Sequence, residues 1–169
     1  LGRPLYETAV GFKNFRPYLL SETTSPALVC FEESDGISGF GNTLEKDAHI
    51  GFLLALEMVG KTGKSLTQYL RDLQHEYGTF FPVRFGFEVE PSMLGKPMQD
   101  MMDALKSKFS PGMMVTVGAE ERRIKNVITV DGMKLVFEDE SWLLIRPSGT
   151  EPKVRVYTES QIEEDANTL

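Results

Sequence analysis

Trp142-Leu-Leu-Ile-Arg-Pro-Ser-Gly-Thr-Glu-Pro-Lys-Val-Arg-Val-Tyr157 carries the plainest structural message in this chain. An apolar run, Trp142 to Ile145, delivers the backbone to a turn of Pro, Ser and Gly, residues that preset or tolerate the dihedrals of a chain reversal. The outgoing run, Lys153 to Thr158, alternates, with Val154 and Val156 on one side and Lys153, Arg155 and Tyr157 on the other. That period of two belongs to a strand with one buried face. Between the strands sit Arg146, the hydroxyls of Ser148 and Thr150, and Gly149. A forked guanidinium, hydroxyls and turn N–H groups are donors that can converge on a phosphate. Arg155 adds a second positive charge from the outgoing strand. An ordinary hairpin turn uses the same residue types, so chemistry by itself leaves both readings open.

Outward from this hairpin, three more strand-like runs precede it: Met113 to Val117, Ile124 to Val130 and Met133 to Phe137. Asp131-Gly132 between two of them is the signal of a two-residue type I′ turn. A helix is expected from Pro97, with Met98, Met101, Met102, Leu105 and Phe109 on one face and Pro111-Gly112 as its stop. Phe80 to Phe87 is aromatic and extended, and the polar tail from Gln161 to Leu169 either starts a helix or frays. Residues 80–169 therefore read as a small α+β domain with an antiparallel sheet and flanking helices.

Residues 1–79 carry a different pattern. A short strand, Leu28 to Phe31, runs into a polar, Gly-rich loop from Glu32 to Thr43. A helix then starts at Asp47 as N-cap, carries Ile50, Leu53, Leu54, Leu56 and Val59, and ends near Gly60 to Gly63. Ser65-Leu-Thr-Gln68 fits a capping box opening a second helix, with Gly78 suited to its C′ position. Strand, polar loop and helix make a partial α/β layered domain, and such loops commonly carry function. The fold class is thus α/β plus α+β.

The composition is that of a globular protein, with 41% hydrophobic and 25% charged residues in 169. A net charge of −7 argues against nucleic acid as a partner, because such binding is driven by neutralising phosphates. It leaves room for a small anion, which needs only a local cluster of donors. Ile50 to Val59, the longest apolar stretch, is too short to cross a bilayer. The chain opens without a signal-peptide pattern and without Met, which leads us to expect a fragment of a cytoplasmic protein. The single Cys30, within Ala27-Leu-Val-Cys-Phe31, reads as a buried, inert thiol. Gly60-Lys-Thr-Gly-Lys-Ser65 mimics a nucleotide P-loop, but Met58 stands where the first Gly is required and a helix precedes it. His49 and His75 lack a second ligand at metal spacing. Glu120-Glu121 and Asp139-Glu140 are expected to face solvent around turns.

Three segments together resemble the α-D-phosphohexomutases, the family of phosphoglucomutase, phosphomannomutase and phosphoglucosamine mutase. Arg146-Pro-Ser-Gly-Thr-Glu-Pro-Lys153 is similar to the phosphate-binding loop of the family's last domain. Glu7-Thr-Ala-Val-Gly-Phe-Lys13 resembles a Glu-Thr-Pro-Val-Gly-Phe-Lys stretch of the third domain, with Ala9 where Pro is usual. Phe31-Glu-Glu-Ser-Asp-Gly36, followed by Glu45-Lys-Asp47, resembles the third domain's sugar-binding loop, with Phe31 where Gly is usual. All three occur in the family's order.

The resemblance implies roles. Arg146, Ser148, Gly149, Thr150 and Arg155 would hold the phosphate that is not transferred. Glu32 and Ser34 would bond sugar hydroxyls, with Lys46, Lys13 and the backbone around Gly11 close to the substrate. It implies a hexose 1-phosphate/6-phosphate mutase working through a phosphoserine and a bisphosphate intermediate, with Mg²⁺ and a hexose 1,6-bisphosphate activator. The catalytic-serine loop, Thr-Ala-Ser-His-Asn-Pro in type, and the metal loop, Asp-Gly-Asp-x-Asp-Arg, do not occur in the sequence. This chain is therefore expected to hold no catalytic or metal-binding residue, to depend on N-terminal domains of the same enzyme, and to be inactive alone. Glu-Glu-Ser resembles the glucose and mannose enzymes more than the glucosamine ones, which usually have Gln before that Ser. Phosphoglucosamine mutase and a non-catalytic phosphosugar-binding module are the alternatives.

Overall fold

The computed structural model describes residues 4–20, 26–32, 34–149 and 151–169, so Glu33 and Thr150 lie outside the described residues. The chain divides into two compact units, Leu1–Tyr77 and Gly78–Leu169. Among the described residues no helix is long and apolar enough to cross a membrane.

In the first unit a 3-10 turn, Phe12–Phe15, leads into the short helix α1, Arg16–Leu19. Strands β1 (Val29–Phe31) and β2 (Ile37–Gly39) form an antiparallel hairpin in which Phe31 pairs with Ile37. Helices α2 (Ala48–Thr62) and α3 (Leu66–Tyr77) follow. β2 corrects the expectation of one long loop from Glu32 to Thr43. Its buried position is Ser38, fully enclosed, whose Oγ donates to the Thr43 carbonyl at 3.0 Å. A strand whose inward residue is a serine leaves no hydrophobic alternation to read.

Both helix starts follow from their caps. Asp47 accepts from the His49 N–H at 2.9 Å, and the Asp47 N–H donates to the Ile37 carbonyl at 2.8 Å, tying the cap to β2. Ser65 and Gln68 exchange bonds in the expected reciprocal way, Gln68 N–H to Ser65 Oγ at 3.2 Å and Ser65 N–H to Gln68 Oε1 at 3.0 Å. Gly63 ends α2 in the left-handed conformation, φ 66°. Phe12, Leu19 and Cys30 make the unit's small core, and burial pushes the Cys30 thiol pKa up.

The second unit is a six-stranded sheet in the order β3-β8-β7-β6-β5-β4, antiparallel at every pairing. Its strands are β3 (Phe81–Glu88), β4 (Met114–Val117), β5 (Glu120–Ile128), β6 (Met133–Phe137), β7 (Trp142–Pro147) and β8 (Lys153–Ser160). One face carries Ile124, Met133, Leu135, Phe137, Leu143 and Ile145, packed against Met102, Leu105 and Phe109 from α4 (Lys96–Lys106) and the segment after it. Val154 and Val156 are buried as the alternation requires. Helix α5 (Glu163–Thr168) is secured by Thr158 Oγ1, which donates to the Ala166 carbonyl at 2.5 Å.

Three expectations need correction here. Met101 is 40% exposed and α4 stops at Lys106, so Phe109 reaches the core from the loop. The β5–β6 connection spans Thr129 to Gly132, and only Gly132 has positive φ, 80°, so the turn is not a two-residue type I′. Nor do Glu120 and Asp139 simply face solvent. Both bind Arg122, which is only 8% exposed and also meets Asp165 Oδ2 at 2.5 Å. The interaction with Asp165 joins α5 to β5. Burial works to lower the Arg122 pKa, but the three carboxylates outweigh it and raise it.

Candidate functional site

The residues singled out by sequence form two separate features of the first unit and one cluster in the second. In the first unit, the loop joining β1 to β2 is closed by two backbone bonds, Glu32 N–H to Gly36 O at 2.8 Å and Asp35 N–H to Glu32 O at 3.2 Å. Asp35 takes positive φ, 66°, to make the turn. The closure aims the Glu32 side chain, 14% exposed, at Lys46, whose Nζ donates to Oε1 at 3.1 Å. Ser34, on the same turn as Glu32, and Lys46 are exposed along the rim of this loop. Beneath them lies Gly36, buried, where an added Cβ would stand 2.6 Å from Glu32 Oε1 and 2.9 Å from Lys46 Cδ. Sequence reasoning named Glu32, Ser34 and Lys46 but missed Gly36. No local signal marks it, because its reason lies in the two side chains packed over it.

Gly11 caps the 3-10 turn with φ 113°, a conformation open mainly to glycine. Asn14 braces the segment, its Nδ2 donating to the Ala9 carbonyl at 2.9 Å and the Val10 carbonyl at 3.0 Å. Lys13 is exposed. The Gly11-Lys13 segment and the Glu32-Ser34-Lys46 rim are separate features of this unit.

In the second unit the register places Arg146 directly opposite Arg155 on β7 and β8, and Arg155 opposite Gly86 on β3. Opposed residues of antiparallel strands share a face, so both guanidinium groups stand on the side away from the buried Val154 and Val156. Arg146 Nη1 lies 3.6 Å from Asp131 Oδ2, and Nη2 donates to the Tyr157 hydroxyl at 3.4 Å. The guanidinium carbon is 6.0 Å from the centre of the Tyr157 ring, at the limit of cation–π attraction. Arg146 Nε is buried and has no partner among the described residues. Arg155 Nη2 meets Glu151 Oε2 at 3.3 Å, and its pKa is raised, first by the Tyr157 hydroxyl and then by Glu151.

The turn itself is tightly closed. The Ser148 N–H donates to the Lys153 carbonyl at 2.8 Å, and Ser148 Oγ accepts from the Glu151 N–H at 3.2 Å. The Ser148 N–H is therefore engaged within the hairpin and is not one of the outward donors expected of the turn. Gly149 is exposed, and an added Cβ would meet open space. An open concavity of ≈ 390 Å³ is lined by Arg84, Gly86, Glu151, Lys153 and Arg155 on the same side of the sheet. On a chain of net charge −7, this is a local concentration of cations beside a turn.

Comparison with known proteins gives the same division of the chain. Residues 1–77 match the phosphoglucomutase/phosphomannomutase alpha/beta/alpha domain III, and residues 98–169 match the C-terminal domain of the same proteins. A probable phosphoglucosamine mutase of Methanobrevibacter smithii is 30% identical over 115 residues, 68% of this chain and 22% of that protein. Phosphoglucomutase 1 of Drosophila melanogaster is 25% identical across 98% of this chain and 32% of its own length. The crystal structure of a phosphomannomutase-like protein from Thermus thermophilus superposes with a TM-score of 0.67 and 25% identity, covering 100% of this chain and 30% of that one. This chain thus spans about a third or less of the proteins it resembles.

Proposed function

Since the chain belongs to the phosphoglucomutase/phosphomannomutase family, we propose that it supplies the sugar and distal-phosphate contacts of a sugar-phosphate mutase. The observation that carries this is the facing pair Arg146 and Arg155 beside the Ser148-Gly149 turn. Two guanidinium groups on one face offer a phosphate dianion charge-assisted, forked hydrogen bonds. Gly149, which no neighbour in the chain requires, leaves room for a ligand's close approach. Glu32 and Ser34 serve sugar hydroxyls, the carboxylate as acceptor and the hydroxyl as donor or acceptor. Lys46 holds Glu32, and Lys13 and the Gly11 backbone complete the proposed sugar contacts. Thr150 belongs to the proposed phosphate set by sequence.

In the whole enzyme a phosphoserine would donate its phosphoryl group to the sugar phosphate, and the bisphosphate so formed would return the other one. This chain's part is to hold the sugar and the phosphate that stays, so that the reacting oxygen is positioned rather than searched for. The family implies Mg²⁺ at the moving phosphoryl group. Among the described residues no group of three or more His, Cys, Asp or Glu side chains forms a metal site, so these residues do not fit that ion and no step here runs through it. We expect the chain alone to turn over no sugar phosphate, even with a hexose 1,6-bisphosphate activator. Turnover by the purified chain would refute that. The proposed setting is cytoplasmic.

The names of relatives favour an amino-sugar phosphate as substrate, since phosphoglucosamine mutases recur among them. Glucose or mannose phosphate is the second reading, favoured by Glu33 before Ser34 in the sequence. Calorimetry of the chain with glucosamine 6-phosphate, glucose 6-phosphate and mannose 6-phosphate separates them. Arg146→Ala is expected to weaken all three alike, because it touches the common phosphate. Unchanged affinity in Arg146→Ala would end the phosphate reading.

A further inference from the structure

Tyr157 stands outside the proposed phosphate ligands, yet it touches the guanidinium group of Arg146. It lies two residues beyond Arg155 on β8, and therefore on the same face, and it pairs with Leu144, two residues before Arg146 on β7. Its ring is nearly enclosed, 6% exposed. The hydroxyl accepts from Arg146 Nη2 at 3.4 Å, and the ring stands beneath the Arg146 guanidinium, 6.0 Å from centroid to carbon. A phenol oxygen has the acceptor capacity for that bond.

From this geometry we infer that Tyr157 is the positioning residue of the phosphate grip, an acceptor that fixes Arg146 before an anion arrives. The inference rests on the phosphate reading of the Arg146 turn. An arginine side chain has large rotamer freedom, and ordering it on binding subtracts from affinity. A buried tyrosine has its own rotamer fixed by packing, so its hydroxyl is a stationary anchor. It is also neutral. A carboxylate in its place would hold Arg146 more strongly but would repel the incoming phosphate, as Asp131 does in part. A neutral acceptor orients the cation and leaves its charge for the ligand.

The test is calorimetric titration of the chain with inorganic phosphate, comparing wild type, Tyr157→Phe, Arg146→Ala and the double variant. Phe keeps the ring and removes only the acceptor. Tyr157→Phe is expected to weaken phosphate about five- to tenfold with little change in the urea midpoint. In the Arg146→Ala background the same substitution is expected to cost less than about threefold, because most of what it orients is gone. Equal losses in both backgrounds would mean a merely structural tyrosine and overturn the inference. So would wild-type affinity in Tyr157→Phe while Arg146→Ala is weakened, and that outcome leaves the phosphate reading standing. Wild-type affinity in Arg146→Ala, or no saturable binding by the wild-type chain, would remove both. If Tyr157→Phe folds poorly, nitrogen-15 NMR of the wild-type arginine side chains decides. Slowly exchanging guanidinium resonances for Arg146 are expected before phosphate is added, and their appearance only afterwards would overturn the inference.

Discussion

Glu32 and Lys46 meet at 3.1 Å over the backbone of Gly36, in a space that a single methyl group would fill. The β1–β2 turn and the cap of α2 are thereby joined through one carboxylate and one ammonium. An alanine at position 36 would put its Cβ 2.6 Å from Glu32 Oε1 and 2.9 Å from Lys46 Cδ. Both atoms lie toward the ends of flexible side chains, so the clash is relieved by rotation rather than by moving backbone. Gly36→Ala is therefore expected to cost less than about 1 kcal/mol in stability. It is expected to weaken glucosamine 6-phosphate about three- to tenfold, on the order of 1 kcal/mol. Urea unfolding and calorimetry on the same sample check it, and an unchanged affinity would remove Glu32 from the proposed sugar contacts.

The cap of α2 predicts a pH signature. The Asp47 carboxyl lies below its ordinary value, chiefly because the His49 N–H donates to it and secondly because Asn42 does. A depressed pKa in the folded state means that the ionised form is favoured by folding. That stabilisation is complete above the unfolded value, about 3.9, and is lost as pH falls through the lower folded value. Asp47→Ala is expected to destabilise the chain at neutral pH through loss of the cap. Its deficit relative to wild type is expected to narrow below about pH 4. Thermal melts of both proteins across that range test the sign, and a deficit that grows on acidification would contradict it.

Much of the second unit was legible because its sheet obeys simple rules. The alternation Val154, Arg155, Val156 announced which face would be buried, and the burial of Val154 and Val156 follows it. What escaped reading depended on contacts distant in sequence. Arg122 and Asp165 are 43 residues apart, and nothing local distinguishes their charges from solvated ones. β2 escaped because Ser38 occupies its inward position, and Gly36 because its reason lies in two side chains above it. In the candidate site, Arg146 was marked by its loop, whereas Tyr157 looked like one more residue of an alternating strand. Its relation to the Arg146 guanidinium exists only once β7 and β8 are paired.

The Arg122 cluster yields an asymmetric prediction. The guanidinium is the buried member, 8% exposed, while the Glu120, Asp139 and Asp165 side chains are 70%, 50% and 25% exposed. Its Nε already lacks a partner among the described residues. Removing Asp165 withdraws a close partner from a buried charge, and Asp165→Ala is expected to cost about 1–3 kcal/mol. Replacing the arginine removes the buried charge itself and leaves carboxylates that water can reach. Arg122→Met, which keeps an apolar stem, is therefore expected to cost less than Asp165→Ala. Urea denaturation of the two variants measures the order, and the reverse order would show the carboxylates to be the costly members.

Gly132 is expected to be the most sensitive glycine beside the phosphate turn. It holds φ 80°, and an added Cβ would stand 2.3 Å from the Ile145 carbonyl oxygen and 3.1 Å from Arg146 Cα. Unlike the neighbours of Gly36, these are backbone atoms of a central strand and cannot rotate away. The left-handed conformation adds about 1–2 kcal/mol for an L-residue, so Gly132→Ala is expected to cost at least about 2 kcal/mol in all. Relief requires the β5–β6 connection to move away from β7, which takes Asp131 away from Arg146 and disturbs the backbone carrying the guanidinium. Phosphate affinity is therefore expected to fall along with stability. Asp131→Asn, which leaves the turn unstrained, is expected to preserve stability within about 0.5 kcal/mol. Calorimetry with inorganic phosphate and urea unfolding on both variants separate backbone strain from loss of the ion pair. A Gly132→Ala protein with wild-type stability would show that β7 yields at Ile145, contrary to its place in the middle of the sheet.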